Sequence, residues 1–243
     1  MRLIILVLFL PLVSATVIDV TVSDFINADA IGLKYENISQ RPIKVSFEAF
    51  NSGSVGCKSM IRMDINRNSY TFTAWSKHFA FQPNDRESIE LYWFPYNLTG
   101  SFFGRIWYYC ANEIKEISNF SIEVKYYISK EPSIEIISPK IFEKKIAFNL
   151  RSNSTEEVIV IPSDYPKGWI LEQKKLHLEK GKMKYVELDY SKDMWKSGKL
   201  TIIAVSEKGE YGLKTVDIKK ESVLNELTFE VIDFIEDILN KIL

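Results

Sequence analysis

The stretch that decides the fold is Gly100-Ser-Phe-Phe-Gly-Arg-Ile-Trp-Tyr-Tyr-Cys110. Aromatic and β-branched residues suit a pleated, partly buried surface, so this stretch predicts a long β-strand. Successive side chains of a strand point to opposite faces. The even positions on one face are Phe102, Ile106, Tyr108 and Cys110, and the odd positions on the other are Phe103, Arg105, Trp107 and Tyr109. The last residue of this strand is one of only two cysteines in the chain.

The N-terminus predicts export. Arg2 precedes a continuous apolar run from Leu3 to Val13, and small residues follow up to Ala15. A charge, a short apolar core and a small-residue end are typical of a secretory signal peptide, here residues 1–15. A run of this length is too short for a helix that crosses a bilayer. The alternatives are a buried N-terminal strand and an uncleaved anchor; cleavage after Ala15 would place the mature chain in a secreted or cell-surface location.

The predicted export bears on whether the two cysteines are free or bonded to each other. Cys57 lies upstream of Cys110, and two cysteines in an exported chain usually form a disulfide. A reactive thiol or a metal pair is the alternative, but two thiols without histidines at ligand spacing make a poor metal site. The sequence therefore predicts a Cys57–Cys110 bond that joins the long strand to an earlier one.

Short strand patterns separated by turn residues fill most of the remaining chain. Alternation is clearest in Ile43-Lys-Val-Ser-Phe-Glu-Ala-Phe50, which predicts one buried and one solvated face. Many short strands at regular spacing are typical of a β-sandwich or barrel. The fold class predicted is all-β: two tandem Ig-like sandwiches, residues 16–129 with the disulfide and residues 130–220, followed by a C-terminal amphipathic helix over residues 221–243.

The two halves share a pattern that suggests a repeat. Phe81-Gln-Pro-Asn and the strand that begins at Ile89 match Leu178-Glu-Lys-Gly and the strand that begins at Val186, and Gly100 matches Gly198. A repeat of this length indicates two copies of one domain type. Convergence of two generic sandwiches is the alternative.

The second half also resembles a known family. The matching segments are Asn153-Ser-Thr-Glu-Glu, Pro166-Lys-Gly-Trp169, Leu178-Glu-Lys-Gly181 and Ser197-Gly198. They resemble the α-galactosidase-associated (NPCBM-associated) Ig-like domain over residues 145–206. Residues 40–128 look, more loosely, like the CARDB adhesion-related Ig-like domains. The resemblance implies a non-catalytic exported module of the kind found in envelope or carbohydrate-active proteins.

The C-terminal stretch has apolar residues at spacings of three and four, which predicts an amphipathic helix. Its acidic face and interruptions exclude a membrane span, although contact with a membrane surface stays open. The helix either packs on its own domain or docks on a protein partner or a second copy of the chain. The residues of that candidate docking face are Leu224, Leu227, Val231, Phe234, Ile235, Ile238 and Ile242.

No motif in the sequence predicts catalysis. The two histidines, His78 and His177, lie far apart in the chain, and no phosphate-binding glycine loop occurs. Asp64-Ile-Asn-Arg-Asn68 resembles the start of a calcium loop, but Ser69 and Trp75 occupy positions that require Gly and Glu. We therefore expect no enzyme activity, no metal and no cofactor. The net charge of −1 predicts no nucleic-acid partner.

Two sets of residues are candidates for surface chemistry. Aromatic side chains around Trp93, Tyr96 and Trp107 either pack in a sandwich core or form a platform that stacks on sugar rings. Four Asn-X-Ser/Thr sequons are candidate glycosylation sites, at Asn37, Asn97, Asn119 and Asn153. The leading interpretation is a non-catalytic interaction or structural protein of the cell envelope. The second is a carbohydrate-binding accessory module, whose partner is a glycan.

Overall fold

The computed structural model describes residues 25–125, 131–192 and 197–218, and every regular element in those ranges is a β-strand. The strands of the first half are β1 (Asp29–Glu36), β2 (Ile43–Phe50), β3 (Cys57–Arg67), β4 (Tyr70–Trp75), β5 (Phe79–Phe81), β6 (Arg86–Trp93), β7 (Gly100–Cys110) and β8 (Glu113–Val124). Those of the second half are β9 (Ile134–Ile141), β10 (Lys145–Ser152), β11 (Glu156–Ser163), β12 (Trp169–Leu171), β13 (Lys174–Leu178), β14 (Met183–Lys192), β15 (Gly198–Ser206) and β16 (Tyr211–Ile218). The predicted signal peptide, residues 1–15, and the predicted helix, residues 221–243, lie outside the described residues.

Each half forms two antiparallel sheets. In the first half, the sheet with strand order β1-β2-β6 faces the sheet with strand order β4-β3-β7-β8, and β5 also pairs with β3. In the second half the order β12-β14-β10-β9 faces the order β13-β11-β15-β16. The strand that begins at Met183 occupies the place of β6, and the strand that begins at Gly198 occupies the place of β7. The strand order thus has the same repeat that the sequence pattern indicates.

The all-β prediction is confirmed, and the long strand lies at the centre of the first sandwich. The even face of β7 is buried, and the odd face is the outer face of its sheet. Cys57 begins β3 and Cys110 ends β7, two neighbouring antiparallel strands, and the predicted disulfide joins them with their Cα atoms 5.8 Å apart. The bond therefore fixes one end of a strand pair within a sheet.

Apolar side chains from facing sheets fill two cores. The first core includes Ile43, Val45, Phe47, Ile61, Met63, Ile65, Leu91, Trp93, Phe102, Ile106 and Tyr108. The second includes Ile146, Phe148, Leu150, Val158, Val160, Trp169, Val186, Leu188, Leu200 and Ile202. Alternation along β2, β3 and β7 sends every second side chain into the first core.

A third buried layer joins the two halves. Strands β11 and β15 send one face into the second core and the other face against the first sandwich. Ile159, Ile161, Ile203 and Val205 belong to that other face, Tyr211 joins them from the start of β16, and all five are packed into the first apolar cluster. On the first sandwich they meet the outer face of β6 and the chain after it, including Tyr92 and Phe94. Burial on both faces explains why β11 and β15 read as continuous apolar runs.

Candidate binding cleft at the junction of the two sandwiches

Where the two sandwiches meet, polar side chains of the second sandwich form hydrogen bonds with the backbone of the first. The side-chain amide of Gln173 bonds both backbone groups of Tyr92: the Tyr92 N–H donates to Oε1 at 2.8 Å, and Nε2 donates to the Tyr92 carbonyl at 2.5 Å. The Tyr165 hydroxyl donates to the carbonyl of Thr73 at 3.0 Å. A backbone bridge joins Trp75 to Glu172. Edge strands β4 and β6 are thus covered by the second sandwich.

A close approach of two turns completes this contact. Gly209, in the turn between β15 and β16, has a φ of 82°, and a Cβ at this position would lie 1.9 Å from the carbonyl oxygen of Gln40. Only glycine fits both requirements. The ring of Tyr211 then lies 5.5 Å from Phe94 and 5.6 Å from Tyr96, measured between centroids.

The outer face of the β4-β3-β7-β8 sheet carries an aromatic cluster around one cation. Register places Trp75, Arg62 and Trp107 side by side across β4, β3 and β7. The guanidinium carbon of Arg62 lies 5.5 Å from the Trp75 ring, 5.4 Å from Trp107 and 5.2 Å from Tyr109. Asp64 pairs with the same guanidinium at 2.9 Å. Cation–π contacts and this ion pair hold Arg62 in a fixed position.

The loop between β11 and β12 faces this cluster across an open cleft. The cleft has a volume of about 750 Å³. Its lining residues are Arg62, Asp64, Thr71, Thr73, Trp75, Tyr109, Ile114, Asp164, Tyr165, Lys167, Gly168, Trp169 and Ile170. We call this space the junction cleft. Both sandwiches contribute to it, so its shape depends on their relative position.

The polar floor of the junction cleft is held by its own hydrogen bonds. Thr73 donates to Asp64 at 2.9 Å, and Thr71 donates to Asn66 at 3.0 Å. Burial raises the pKa of Tyr165, and the carboxylate of Asp64 adds to the effect, while the Trp75 indole opposes it. The Tyr165 hydroxyl therefore keeps its proton, and its bond to Thr73, at all physiological pH values. Arg62 and Lys167 balance Asp64 and Asp164, so the formal charges of the lining sum to zero.

A smaller cleft of about 480 Å³ opens on another side of the same contact. Its lining includes His78, Glu90, Gln173 and Lys175. A hydrogen bond from Lys44 holds the pKa of Glu90 below its ordinary value, and Lys175 does the same for Glu207. These carboxylates are committed to ion pairs, with N–O distances of 2.7 and 2.8 Å.

The three aromatic residues singled out from the sequence occupy different places. Trp93 is 0% exposed and its indole N–H donates to the Tyr70 hydroxyl at 3.0 Å, so it packs in the first core and cannot stack on a ligand there. Tyr96 is half-buried against Tyr211. Trp107 is half-buried beside Arg62, near the junction cleft. The structure therefore does not bring the three together.

Sequence reasoning missed Arg62, Trp75 and Tyr165, because only the register of β3, β4 and β7 and the contact with the second sandwich place them side by side.

The four sequons differ in access. Asn97, Asn119 and Asn153 are exposed, whereas Asn37 is half-buried and its Nδ2 donates to the Glu123 carbonyl at 2.8 Å. A glycan on Asn37 would be attached to this same nitrogen and would leave it one hydrogen with which to donate. A glycan on Asn119 would stand on the outer face of β8, beside Glu116.

His177 is exposed and bonds Glu157 at 2.8 Å. Within residues 25–125, 131–192 and 197–218, no group of three or more His, Cys, Asp or Glu side chains is arranged to hold a metal ion. In the same ranges no helix has the length and apolar character needed to cross a membrane. The candidate docking residues of the C-terminal helix, Leu224 to Ile242, lie outside the described part of the chain.

The comparisons with known proteins show only remote similarity. No family model and no curated protein matches the chain, so its resemblance to the two Ig-like families stays a prediction. Among solved structures it is similar to a mutant of Salmonella alpha-2-macroglobulin at 8% identity and a TM-score of 0.28, covering 76% of this chain and 16% of that one. It is also similar to Escherichia coli alpha-2-macroglobulin activated by porcine elastase, at 6% identity and a TM-score of 0.29, covering 82% of this chain and 22% of that one. Its similarity to the N-terminal periplasmic domain of ScsB from Proteus mirabilis has 10% identity and a TM-score of 0.27, covering 77% of this chain and 92% of that one. The function must be argued from the chain's own residues.

Proposed function

We propose that this chain is a non-catalytic, extracytoplasmic binding module whose binding surface is the junction cleft. The observation that carries the proposal is the cleft itself. Two sandwiches that share a buried apolar layer form its opposite walls, and its lining combines aromatic rings, hydroxyl groups and balanced charges. Ligand sites favour such clefts between domains, where apolar walls surround a few fixed polar groups.

The lining supports binding rather than chemistry. Among the residues that line the junction cleft there is no serine, cysteine or histidine. The Thr73 hydroxyl does meet a carboxylate, but Asp64 is already paired with Arg62. We infer that the chain is not an enzyme.

Export is supported by the cysteines. Both form the one disulfide, which persists in oxidising compartments and is rare in the cytosol. The predicted signal peptide over residues 1–15 and the three exposed sequons agree with a secreted or cell-surface location. Host glycosylation would add sugar at Asn97, Asn119 and Asn153.

A glycan is the second candidate ligand. Phe103, Trp107 and Tyr109 follow one another on the outer face of β7, with Arg105 between the first two. Phe103 is among the exposed large apolar residues. A row of rings on one sheet face suits successive sugar units, which present apolar faces for stacking. This row replaces the platform centred on Trp93.

The test is a binding screen of the mature chain, from Thr16, on glycan and peptide arrays. We expect a ligand whose binding falls at least about tenfold in Tyr109→Ala and is unchanged in Tyr185→Ala, an equally sized change on the exposed face of β14. A tenfold loss corresponds to about 1.4 kcal/mol. Glycan hits would favour the carbohydrate-binding role and peptide hits the protein-binding role. Hits with equal affinity in both variants would contradict the junction cleft as the binding surface.

The C-terminal residues 221–243 are proposed as a second contact, for a protein partner or a second copy of the chain. The amphipathic pattern of Leu224 to Ile242 supports this role. Light scattering with size-exclusion chromatography should show self-association of the mature chain and a monomer for a version that ends at Lys220. If both are monomers and the shorter version is much less stable, the segment belongs to its own domain.

A further inference from the structure

The first sandwich has two sheet edges that the second sandwich does not cover. Strands β4 and β6 end their sheets on one side, and β1 and β8 end the same two sheets on the other. At one end β1 and β8 meet: the rings of Tyr35 and Phe120 stack with centroids 6.2 Å apart, and the Asn37 side-chain amide donates to the Glu123 carbonyl. We call the gap between β1 and β8 the open seam. Natural proteins cover such edges, because free backbone groups there pair with other chains.

The backbone of β8 presents unpaired groups to the open seam. The Glu123 carbonyl points away from β7, since it accepts from Asn37. Alternate residues of an antiparallel strand direct their N–H and C=O groups to the same side, so those of Ser121 and Asn119 point to the open seam as well. No described residue forms a hydrogen bond with these backbone groups. They are free to pair with one more strand.

The open seam also has an apolar lining. Ala30 and Leu33 of β1 and Ile117 and Phe120 of β8 pack against the first core but are only partly buried. Tyr35, beside them, is 44% exposed. A strand with one apolar face would remove this surface from water, and the gain grows with the area that it covers.

Of the two edges, β8 is the better template. The register of β1 shifts between Ile31 and Lys34, where Gly32 has a φ of 65°. A bulge in the middle of a strand bends it and interrupts pairing along its edge. The bulge of β8 lies nearer its start, and the strand continues without a shift from Ser118 to its last residue, Val124.

The sequence before the described residues has the pattern of a strand. Val17-Ile-Asp-Val-Thr-Val22 contains five β-branched residues, the type that favours strands. Ile18, Val20 and Val22 fall on one face, and Val17, Asp19 and Thr21 on the other. A short segment with this composition is an aggregation hazard if it stays unpaired. It needs a partner in the folded chain.

The described chain begins close to the start of β8. The Phe25 N–H donates to the Ser54 hydroxyl at 2.9 Å, and the Ser54 N–H donates to the Phe25 carbonyl at 3.0 Å. Lys115, the third residue of β8, donates from Nζ to the side-chain oxygen of Asn27. A segment that ends here and runs along β8 is antiparallel to it. Six residues of strand span about 20 Å, which matches the uninterrupted part of β8 and leaves residues 23–24 as the connection.

We propose that residues 17–22 add to the open edge of β8 as an antiparallel strand, with Ile18, Val20 and Val22 turned into the open seam. The backbone groups of Asn119 and Ser121 then gain partners, and the apolar lining is covered. The first sandwich is thus closed by the N-terminus of its own chain. The proposal does not depend on the function proposed for the junction cleft, which opens beside β4.

Amide hydrogen exchange tests this pairing. The mature chain from Thr16 is compared with a chain that begins at Ser23. The Asn119 and Ser121 amides should exchange at least about tenfold faster in the shorter chain, because their partners are gone. The Ile122 amide faces β7 and should stay protected in both chains, which shows that the sandwich remains folded. Equal exchange at Asn119 and Ser121 in the two chains would overturn the proposal.

Two neighbouring substitutions test which face of the segment is buried. Val20→Asp places a charge in the open seam, where burial without a partner is costly, and should reproduce the fast exchange of the shorter chain. Thr21→Asp places the same charge on the solvent face and should keep the slow exchange of the parent chain. Both variants should keep the near-UV circular dichroism of the parent. Equal exchange in the two variants would contradict the proposed face.

Two further outcomes would also overturn the proposal. If the shorter chain loses protection in β1 and not in β8, the segment adds to the other edge of the open seam. If the mature chain protects Asn119 and Ser121 only at concentrations where light scattering detects association, a second copy covers the edge. Protection that is the same at all concentrations supports pairing within one chain.

Discussion

The side-chain amide of Gln173 takes the place of a neighbouring strand for Tyr92. It accepts from the Tyr92 N–H at 2.8 Å and donates to the Tyr92 carbonyl at 2.5 Å. An edge strand such as β6 leaves a row of unpaired backbone groups that invites pairing with another chain. Here one side chain of the second sandwich satisfies both groups of a residue on that edge. The same contact fixes the position of the wall that faces the junction cleft.

The exchange Gln173→Leu should destabilise the chain by about 2–4 kcal/mol. Leucine keeps most of the side-chain volume but leaves the two backbone groups of Tyr92 buried without partners, and each such group costs about 1–3 kcal/mol. Urea unfolding gives the free energy. Gln82→Leu, at an exposed position of the first half, is the control and should change stability by less than about 0.5 kcal/mol. Equal effects would mean that the amide of Gln173 does not seal the edge.

The exchange Gly209→Ala tests the close approach of the two sandwiches. A Cβ here would meet the backbone carbonyl of Gln40 at 1.9 Å and must also tolerate a φ of 82°. Gly181→Ala is a matched control, because that glycine has a φ of 72° and nothing within 4 Å of its Cβ. Both variants carry the cost of the left-handed backbone, about 1 kcal/mol. We expect Gly209→Ala to lose clearly more stability in thermal unfolding, and a difference of zero would contradict the contact.

Loss of the disulfide should cost about 4 kcal/mol. The Cys57–Cys110 bond closes a loop of 53 residues, and on the chain-entropy model a loop of that length restricts the unfolded state by this amount. Urea unfolding of the double variant Cys57→Ala, Cys110→Ala measures the loss. Adding a reductant should lower the stability of the parent chain toward that of the double variant and leave the double variant unchanged. A reductant effect on the double variant would show that something other than this bond is responsible.

Stability should fall above about pH 10, and Tyr165 should contribute to the fall. Burial raises the pKa of Tyr165 in the folded chain, and that of Tyr70 to about 12. A raised folded pKa means that the stabilisation is complete below the unfolded pKa, near 10, and is lost as the pH rises toward the folded value. Tyr165→Phe should therefore cost about 1 kcal/mol at pH 8, through the lost bond to the Thr73 carbonyl, and clearly less at pH 11.

Urea midpoints at pH 8 and pH 11 check this prediction. Tyr35→Phe is the control, because the Tyr35 ring is exposed. A Tyr165→Phe penalty that stays constant between the two pH values would show that the hydroxyl is not buried in the folded chain.

Much of the fold could be predicted from local pattern. The alternation in β2 and β7, the turn residues between strands and the paired cysteines indicate the all-β class and the disulfide, because each depends on neighbouring residues or on compartment. The contact between the sandwiches was harder to foresee. Its signal is the apolar run in Val158-Ile-Val-Ile161 and the run in Leu200-Thr-Ile-Ile-Ala-Val205, which is apolar except for Thr201; such runs mark strands buried on both faces.

The candidate site was harder to predict from the sequence than the fold. Trp93 and Trp107 both lie in stretches rich in aromatic residues. The face of β6 that carries Trp93 points into the first core, whereas the face of β7 that carries Trp107 points outward. Only the register tells which is which, since a shift of one residue exchanges the faces. Arg62 and Tyr165 are far apart in the chain, and their meeting across the junction cleft depends on the packing of two whole sandwiches.

Calorimetric unfolding of the full mature chain tests the central claim most directly. If the two sandwiches share one buried layer and present a fixed cleft, they should unfold together, in a single transition whose calorimetric and van't Hoff enthalpies agree. Two separate transitions, or a van't Hoff enthalpy near half the calorimetric one, would mean that the sandwiches unfold independently. The junction cleft would then not be a fixed surface, and the proposed binding role would lose its structural basis.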